Sequence, residues 1–331
     1  MDKSRMADAE PTLLRWETLT KRKFDQLDRS QCVVLVTCSP LEVHGPHLPF
    51  GADALEGEGL VRRMLRFLPE RHRSRTFLQL PFIYAATDTL PHPGSIFFQP
   101  STTQAVLRDL GRSLAAQGFQ NILVSNFHGS PRHFLAIEQA CARVSRERNV
   151  RMVCIFSVLL SRLTGGSSEL YEVLGRLPGV DREDLVGDTH GGVVETSQLL
   201  ALHPEWVERD YGALPRRTVD GWLREQGETP PTHERGKPAG VMTMVNAFRG
   251  GLRFFRAETY AGAPGKASPE LGERILDTLG EKGAEAVAEI LDGVLPPSQW
   301  HSPLWKQRFW FTNPLMVRLF NRVLRIPDGI A

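Results

Sequence analysis

Residues 121–148 read NILVSNFHGSPRHFLAIEQACARVSRER, and this stretch decides the fold class. The segment from Asn121 to Ser125 has the clearest strand pattern in the chain, because it is short, mostly apolar and bounded by polar residues. Pro131 stands where a first helical turn would begin, and a helical pattern continues from it to Arg148. A buried strand that leads through a short loop into a helix is the repeating unit of α/β folds.

The same alternation continues on both sides of this stretch, between residues 30 and 160. Strands separated by single helices imply parallel pairing with right-handed crossovers. We therefore predict an α/β fold with a central, mostly parallel sheet flanked by helices. The predicted strands are Cys32–Thr37, residues 77–83, which Pro81 weakens, and the opening of 150–160; the predicted helices are 53–68 and 101–116, the second with Ser101 as its N-cap.

Beyond residue 161 the patterns predict helices joined by long loops. Helical periodicity covers 195–202 and 269–291, Gly/Pro-rich segments at 165–168 and 177–179 predict loops, and polar residues 208–240 predict a long surface excursion. We expect three parts: an N-terminal extension with a leading helix (1–29), one main domain (30–295) and a C-terminal tail (296–331).

The C-terminal tail combines aromatic and basic residues. Five large aromatic side chains fall within twelve residues, Lys306 and Arg308 lie among them, and a basic apolar segment follows at 315–326. The favoured interpretation is a helix docked on the core or on a neighbouring subunit. The alternative is an amphipathic helix lying on a membrane surface.

Composition and charge exclude several classes of protein. The 331 residues include 40 basic and 38 acidic side chains, a net charge of +2, so a nucleic-acid partner is not expected. The longest apolar stretch, 152–160, is about half of what a bilayer span needs. The first fifteen residues lack the apolar core of a signal peptide, and the four cysteines show no disulfide or zinc-finger spacing. We expect a cytoplasmic protein with free thiols.

Candidate metal ligands follow the first predicted strand. Glu42 and His44 are two residues apart, so in an extended backbone both side chains point the same way. Asp53 comes nine residues after His44, across a Gly/Pro-rich turn that can fold the chain back. Two carboxylates and an imidazole brought together in this way suit Zn²⁺ or Mn²⁺.

Two further clusters strengthen this prediction. His128 follows the strand that ends at Ser125, and ligands in open α/β sheets bind at the carboxyl ends of strands. His190 lies in a glycine-flanked loop, and Glu195 stands near the start of a predicted helix. Three His/carboxylate groups, all in loops, are difficult to explain by packing alone.

These residues also carry a family resemblance, which spans roughly residues 30 to 290. The segment EVHGPHLP at 42–49, with Asp53 downstream, resembles the first signature of the creatininase (creatinine amidohydrolase) family. The segments SNFHG at 125–129 and HGGVVETS at 190–197 resemble two further segments of that family, in the same order along the chain. Residues 119–124 and 260–267 also fit the resemblance.

The resemblance implies a three-layer α/β sandwich with a site for two divalent metal ions, which are zinc, manganese or iron. Members of the family hydrolyse C–N bonds of small cyclic amides or formamides. Some members instead cleave a peptide, so a creatininase-like peptidase acting on a modified peptide is a second alternative for this chain. Homo-oligomers, often hexamers, are common in the family. Mapped onto this chain, the resemblance makes His190 the proton donor or acceptor. The implied metal ligands are Glu42 and His128 for one ion, His44 and Glu195 for the other, and Asp53 as the bridge between them.

Such a site has a clear chemical logic. Two divalent cations sharing a carboxylate lower the pKa of the water between them towards ~7, and the hydroxide attacks the carbonyl carbon. A histidine with a near-neutral pKa can protonate the leaving amine. Three carboxylates against two M²⁺ ions leave the site mildly cationic, which suits an anionic tetrahedral intermediate.

Two positions depart from the family pattern. Ser130 stands two residues after His128, where creatininase itself has a metal-binding glutamate, and Thr89 stands where a histidine is common. These departures motivate an alternative hypothesis, a creatininase-fold protein that binds a ligand or takes part in an assembly without catalysis.

Four residues are candidates for a supporting role or for substrate contact around the site, namely Ser130 and the three that follow. His47 can support the metal ligands or hydrogen-bond within its turn. Asp88 can face the same cleft or cap a local turn. Asp188 can orient His190 or cap its loop, and the sequence leaves each pair of alternatives open.

Overall fold

The structure is a computed structural model that describes residues 11–164, 181, 183–231 and 241–324. Five strands form one parallel sheet in the order β1-β3-β2-β4-β5. The central strand β2 is buried along its whole length, because it pairs with β3 on one side and β4 on the other. The strands are β1 (Thr12–Arg15), β2 (Cys32–Thr37), β3 (Thr76–Gln79), β4 (Asn121–Ser125) and β5 (Arg151–Cys154).

Helices cover both faces of the sheet. The helices are α1 (Lys21–Asp25), α2 (Ala52–Phe67), α3 (Glu70–Arg73), α4 (Pro100–Ala116), α5 (Pro131–Arg148), α6 (Ile155–Thr164), α7 (Val193–Leu202), α8 (Val219–Glu225), α9 (Val241–Ala257), α10 (Pro269–Asp292), α11 (Arg308–Thr312) and α12 (Pro314–Leu324). Val33 and Leu35 of β2 pack into the core under α2, α7 and α10, whereas Val34 and Val36 face α4 and α5.

The predicted fold class is confirmed, but some element boundaries were wrong. Strand β3 ends at Gln79, two residues before Pro81, which cannot donate a hydrogen bond to a neighbouring strand. The run 150–160 does open with a strand, as predicted, and its later residues form the start of α6. Ser101 is not an N-cap: α4 begins one residue earlier, with Pro100 in its first turn.

Several elements were not predicted, among them β1 and the helices α3, α8 and α9, and α8 lies within residues 208–240, which were predicted as a polar surface excursion. Strand β1, within the expected N-terminal extension, pairs with β3 and forms an edge of the sheet. Helix α9 lies just after the predicted surface excursion. Residues 232–240 of that excursion are outside the described part of the chain. The predicted loops at 165–168 and 177–179, and the last residues of the 315–326 segment, also lie outside it. Among the residues described, no helix is both long and apolar enough to cross a membrane.

Part of the C-terminal tail packs against α5. Thr312 accepts a hydrogen bond from Gln139, and Val317 and Asn321 of α12 are buried. Large apolar side chains elsewhere on the tail are exposed to solvent, namely Phe309, Trp310, Leu315 and Leu319. The tail is therefore part of the packed structure, with an apolar outer face.

Candidate metal centre

The predicted site residues converge at the carboxyl edge of the sheet. Glu42 and His44 follow β2, and His128 follows β4, its hydrogen-bonded neighbour. Asp53 lies in the first turn of α2, and Glu195 lies in the first turn of α7. Strand ends and helix N-termini meet here, as is typical of ligand sites in α/β sheets.

Asp53 is shared by two groups of potential ligands. In three overlapping groups the ligand atoms lie within 4.8 Å of one another, namely Glu42, Asp53 and His128, then His44, Asp53 and Glu195, and also Glu42, His44 and His190. His128 Nδ1 is 3.1 Å from Glu42 Oε2 and 3.6 Å from Asp53 Oδ2. His44 Nε2 is 3.4 Å from the same Asp53 oxygen and 3.8 Å from Glu195 Oε2.

Backbone carbonyl groups fix the orientation of both imidazole rings. Nδ1 of His44 donates to the carbonyl oxygen of Glu42 at 3.0 Å, and Nε2 of His128 donates to that of Thr87 at 3.1 Å. The other ring nitrogen of each histidine therefore faces the carboxylates. Such an outer hydrogen bond is what holds a metal-binding histidine in place.

Three buried polar atoms at this site lack a hydrogen-bond partner among the described residues: Glu42 Oε2, His44 Nε2 and Asp53 Oδ2. Unpaired buried polar atoms are costly, and here they converge on a common space. Carboxylate oxygens and imidazole nitrogens are also the ligands that Zn²⁺ and Mn²⁺ prefer. The residues present therefore fit divalent cations.

The charges of the cluster are strongly coupled. Burial disfavours the imidazolium of His44, but Asp53 and Glu195 outweigh burial and raise its pKa to about 10. Burial likewise opposes protonation of His128, but Glu42 and Asp53 raise its pKa to about 9. Burial opposes ionisation of Asp53, yet the two histidines lower its pKa to about 2. Without metal, protons on the histidines thus balance the carboxylates.

His190 lies beside this cluster but differs from the other histidines. Its ring stacks on His44 at 4.1 Å between centroids, and its Nε2 donates to the carbonyl oxygen of Val43 at 2.6 Å. Burial, together with the neighbouring His44, lowers the pKa of His190. His190 is therefore the neutral imidazole of the site, with Nδ1 free to accept a proton.

The next residue, Gly191, allows this close approach. Its φ is +58°, and an added Cβ would lie 3.1 Å from the backbone carbonyl of His44. Its N–H donates to Glu195 Oε2 at 2.6 Å, which orients that carboxylate. A side chain at this position would be strained and would push the two loops apart.

Two of the candidate supporting residues contact helix α7. The hydroxyl of Thr196 lies 2.8 Å from Nε2 of the buried His47, next to Glu195. Asp188 accepts hydrogen bonds from the backbone N–H groups of Val193 and Val194, at 2.6 and 3.1 Å. Of its two alternatives, Asp188 thus takes the capping one, at the N-terminus of α7.

The other two, Asp88 and Ser130, contact each other. Ser130 Oγ donates to Asp88 Oδ2 at 2.9 Å, and Asp88 has a φ of +61°, in the left-handed region. Neither residue belongs to the groups of potential ligands found among the described residues.

Sequence reasoning missed two buried groups near the site. Glu56, one turn after Asp53 on α2, is fully buried, and burial raises its pKa well above the usual value for a carboxyl group. His133 packs 5.4 Å from His128, and burial lowers its pKa to about 3. The i, i+3 spacing of Asp53 and Glu56 on one helix was a usable signal, whereas no comparable pattern marks His133.

Comparisons with known proteins agree with this architecture. A solved structure described as "Creatininase Mn" superposes with a TM-score of 0.56 at 21% identity, covering 85% of this chain and 99% of that one. A creatininase mutant described as "Zn-Zn type" superposes with a TM-score of 0.52 at 19% identity, covering 84% and 98%. At these identities, the likeness shows the fold.

Sequence comparisons extend to the family. The chain is 24% identical over 201 residues to the creatinine amidohydrolase of Pseudomonas putida, covering 58% of this chain and 73% of that protein. The family model described as "Creatinine amidohydrolase" matches residues 17–287, which include all the potential ligands named above. The chain therefore belongs to the creatininase family, and it is a metal-dependent hydrolase of carbon–nitrogen bonds other than peptide bonds.

Proposed function

We propose that this protein is a dinuclear amidohydrolase that acts on a small cyclic amide, a formamide or a related C–N bond. The observation that carries the proposal is the position of Asp53, whose carboxylate belongs to two ligand groups at once. Glu42 and His128 would complete the site of one ion, and His44 and Glu195 that of the other. Together with Asp53, they provide three carboxylates and two imidazoles for two cations.

Zinc and manganese are the first metals to test, because the descriptions of two structural neighbours name them. When bound, two such ions lower the pKa of a water molecule and polarise the carbonyl oxygen of the substrate. The role of the chain is to fix five ligands before metal binds. The carbonyl groups of Glu42 and Thr87 serve this purpose by holding the two imidazole rings.

His190 is the proposed proton carrier. It is neutral at pH 7 because its pKa is lowered, so it can accept a proton from the attacking water and pass it to the leaving amine. Its Nε2 is held by the carbonyl oxygen of Val43, which leaves Nδ1 for the transfer. The stack with His44 keeps the ring against the metal site.

The substrate is proposed by class only. The relative in Pseudomonas putida is named for creatinine, a small cyclic amide, which makes such compounds the first to screen. Ser130 stands where creatininase has a metal-binding glutamate, and its hydroxyl donates a hydrogen bond to Asp88. We therefore propose a substrate other than creatinine itself.

The test is hydrolysis of a panel of creatinine, hydantoins, lactams and formamides by protein loaded with Zn²⁺ or Mn²⁺. Turnover of at least one compound that stops after chelation and returns with metal would support the proposal. Metal binding without turnover of any compound would favour the non-catalytic alternative. A matched sample of the His190→Gln variant controls for contaminating hydrolases.

A further inference from the structure

We propose that Arg132 is a positioning residue through which the C-terminal helix α12 sets the geometry of one of the two metal sites. This inference rests on the proposed function, since it concerns the ion held by Glu42 and His128. The geometry points to a continuous line of contacts from Asn321 through Arg132 and Asp88 to those two ligands. Each contact in this line is a hydrogen bond between buried or half-buried groups.

The first contact joins the tail to α5. The guanidinium Nη1 of Arg132 donates to Asn321 Oδ1 at 2.9 Å, and both residues are buried, with exposures of 8% and 5%. The same nitrogen donates to Asp88 Oδ1 at 3.2 Å, so one group links two segments that are far apart in the sequence. A buried guanidinium needs such partners, because an unpaired buried charge is strongly destabilising.

The second contact fixes the backbone at Asp88. Its other carboxylate oxygen accepts from Ser130 Oγ at 2.9 Å, so both oxygens are held by the first residues of α5 and the loop before it. Asp88 has a φ of +61°, a conformation that non-glycine residues rarely adopt and that aspartate tolerates better than most. The carboxylate contacts thus hold an unfavourable turn in place.

The third contact joins this turn to the ligands. Just before Asp88, the carbonyl oxygen of Thr87 accepts from Nε2 of His128 at 3.1 Å. Just after it, the N–H of Leu90 donates to Glu42 Oε1 at 2.6 Å. The turn therefore orients both Glu42 and His128, and among the described residues no hydrogen bond joins it to His44 or Glu195.

This line of hydrogen bonds begins at a residue outside the region that matches the family model. The match ends at residue 287, whereas Asn321 lies in α12. Ser130, the departure from the family pattern, is itself part of the line. We infer that the tail and Ser130 act together, each holding the turn that orients the Glu42/His128 site.

The test is stepwise metal binding by Asn321→Ala and Arg132→Met, measured by competition with a chromophoric zinc chelator. Asn321→Asp keeps the oxygen that accepts from Arg132 and serves as the conservative rescue. Arg318→Ala, an exposed position on the same helix, is the matched control. Melting temperatures report on the fold, and Co²⁺ absorption spectra report on ligand geometry independently of activity.

We expect the affinity for one of the two ions to fall about 10- to 100-fold in Arg132→Met and less in Asn321→Ala, with the second ion unaffected. Asn321→Asp and Arg318→Ala should bind both ions as the wild type does. Wild-type binding of both ions by Arg132→Met and Asn321→Ala would overturn the inference. Equal weakening of both ions with a lower melting temperature would also overturn it, by showing a general structural role.

The wild-type titration separates this inference from the proposed function. If the wild-type chain binds fewer than two ions, the dinuclear proposal itself fails, before any variant is compared. If it binds two and the variants do not distinguish them, only the positioning inference fails.

Discussion

A buried acidic side chain lies close to a histidine at both ends of the central sheet, but the two arrangements differ. At the carboxyl edge, the candidate metal centre brings together five ligand residues, Asp53 among them, from four segments of the chain. At the amino ends of β4 and β5, Glu138 lines a cavity of about 690 Å³ with one histidine, His301, whose Nδ1 lies 3.4 Å from Glu138 Oε2. Three arginines also line this cavity, Arg75, Arg146 and Arg151.

The difference shows which features indicate a metal site. Glu138 is buried, and neither of its carboxylate oxygens has a hydrogen-bond partner among the described residues, as is also true of one oxygen of Glu42. An unpaired buried carboxylate is thus common to both ends. Only at the carboxyl edge, within the described part of the chain, do three or more potential ligands converge within 4.8 Å. The metal centre is therefore assigned from the convergence of several potential ligands, and not from the burial of a single acidic side chain.

The largest effect is expected from Asp53→Asn. Because Asp53 belongs to both ligand groups, the variant should lose both ions, and activity should fall by about 10³-fold or more, since bound metal contributes several kcal/mol. The measurement is metal content and kcat/KM. Asp109→Asn, at an exposed position on α4, is the matched control and should behave as the wild type. Retention of both ions by Asp53→Asn would contradict a shared ligand.

His190→Gln separates proton transfer from metal binding. Since His190 is the proposed proton carrier and not one of the five ligands, the variant should keep both ions while kcat falls by roughly 10²- to 10⁴-fold. Steady-state kinetics beside metal analysis provides the check. Loss of an ion in this variant would instead make His190 a ligand, in the group that it forms with Glu42 and His44.

Metal affinity should rise with pH. In the metal-free chain, the pKa values of His44 and His128 are raised to about 10 and 9, so both rings carry protons at pH 7 that metal must displace. Between pH 6 and 8, the apparent affinity should increase by about tenfold per pH unit for each proton released. Competition titrations at three pH values measure this slope. An affinity that is flat or falls with pH would count against displacement of protons from these histidines.

The smallest effect is expected at the opposite end of the sheet. Glu138→Gln should leave the metal content unchanged and activity within about twofold, because distant sites act independently. The same metal analysis and kinetics apply. If this variant lost an ion, the contrast between the two ends of the sheet would be wrong, and Glu138 would be part of a metal site.

Sequence patterns predicted most of what positions the site. Strands β2 and β4 have the predicted bounds, because continuous apolar runs flanked by turn residues are typical of buried parallel strands. The ligands directly after these strands could therefore be assigned to one edge of the sheet. The grouping of specific residues around each ion came from the family resemblance, and it stays a prediction.

Other features depend on tertiary contacts that no local pattern records. Strand β1 has only four residues, and its place in the sheet depends on backbone pairing with β3. The left-handed turn at Asp88 depends on Ser130 and Arg132, more than forty residues away. Likewise, the contact of Asn321 with Arg132 joins two helices separated by most of the chain, and periodicity cannot reveal it.

The most direct test of the central claim is a crystal structure with anomalous diffraction data collected on either side of the zinc or manganese absorption edge. The account predicts two anomalous peaks in each chain at the carboxyl edge of the sheet, one on either side of the Asp53 carboxylate. One peak should lie within bonding distance of Glu42 and His128, and the other within bonding distance of His44 and Glu195. A single peak, or peaks away from Asp53, would contradict the account.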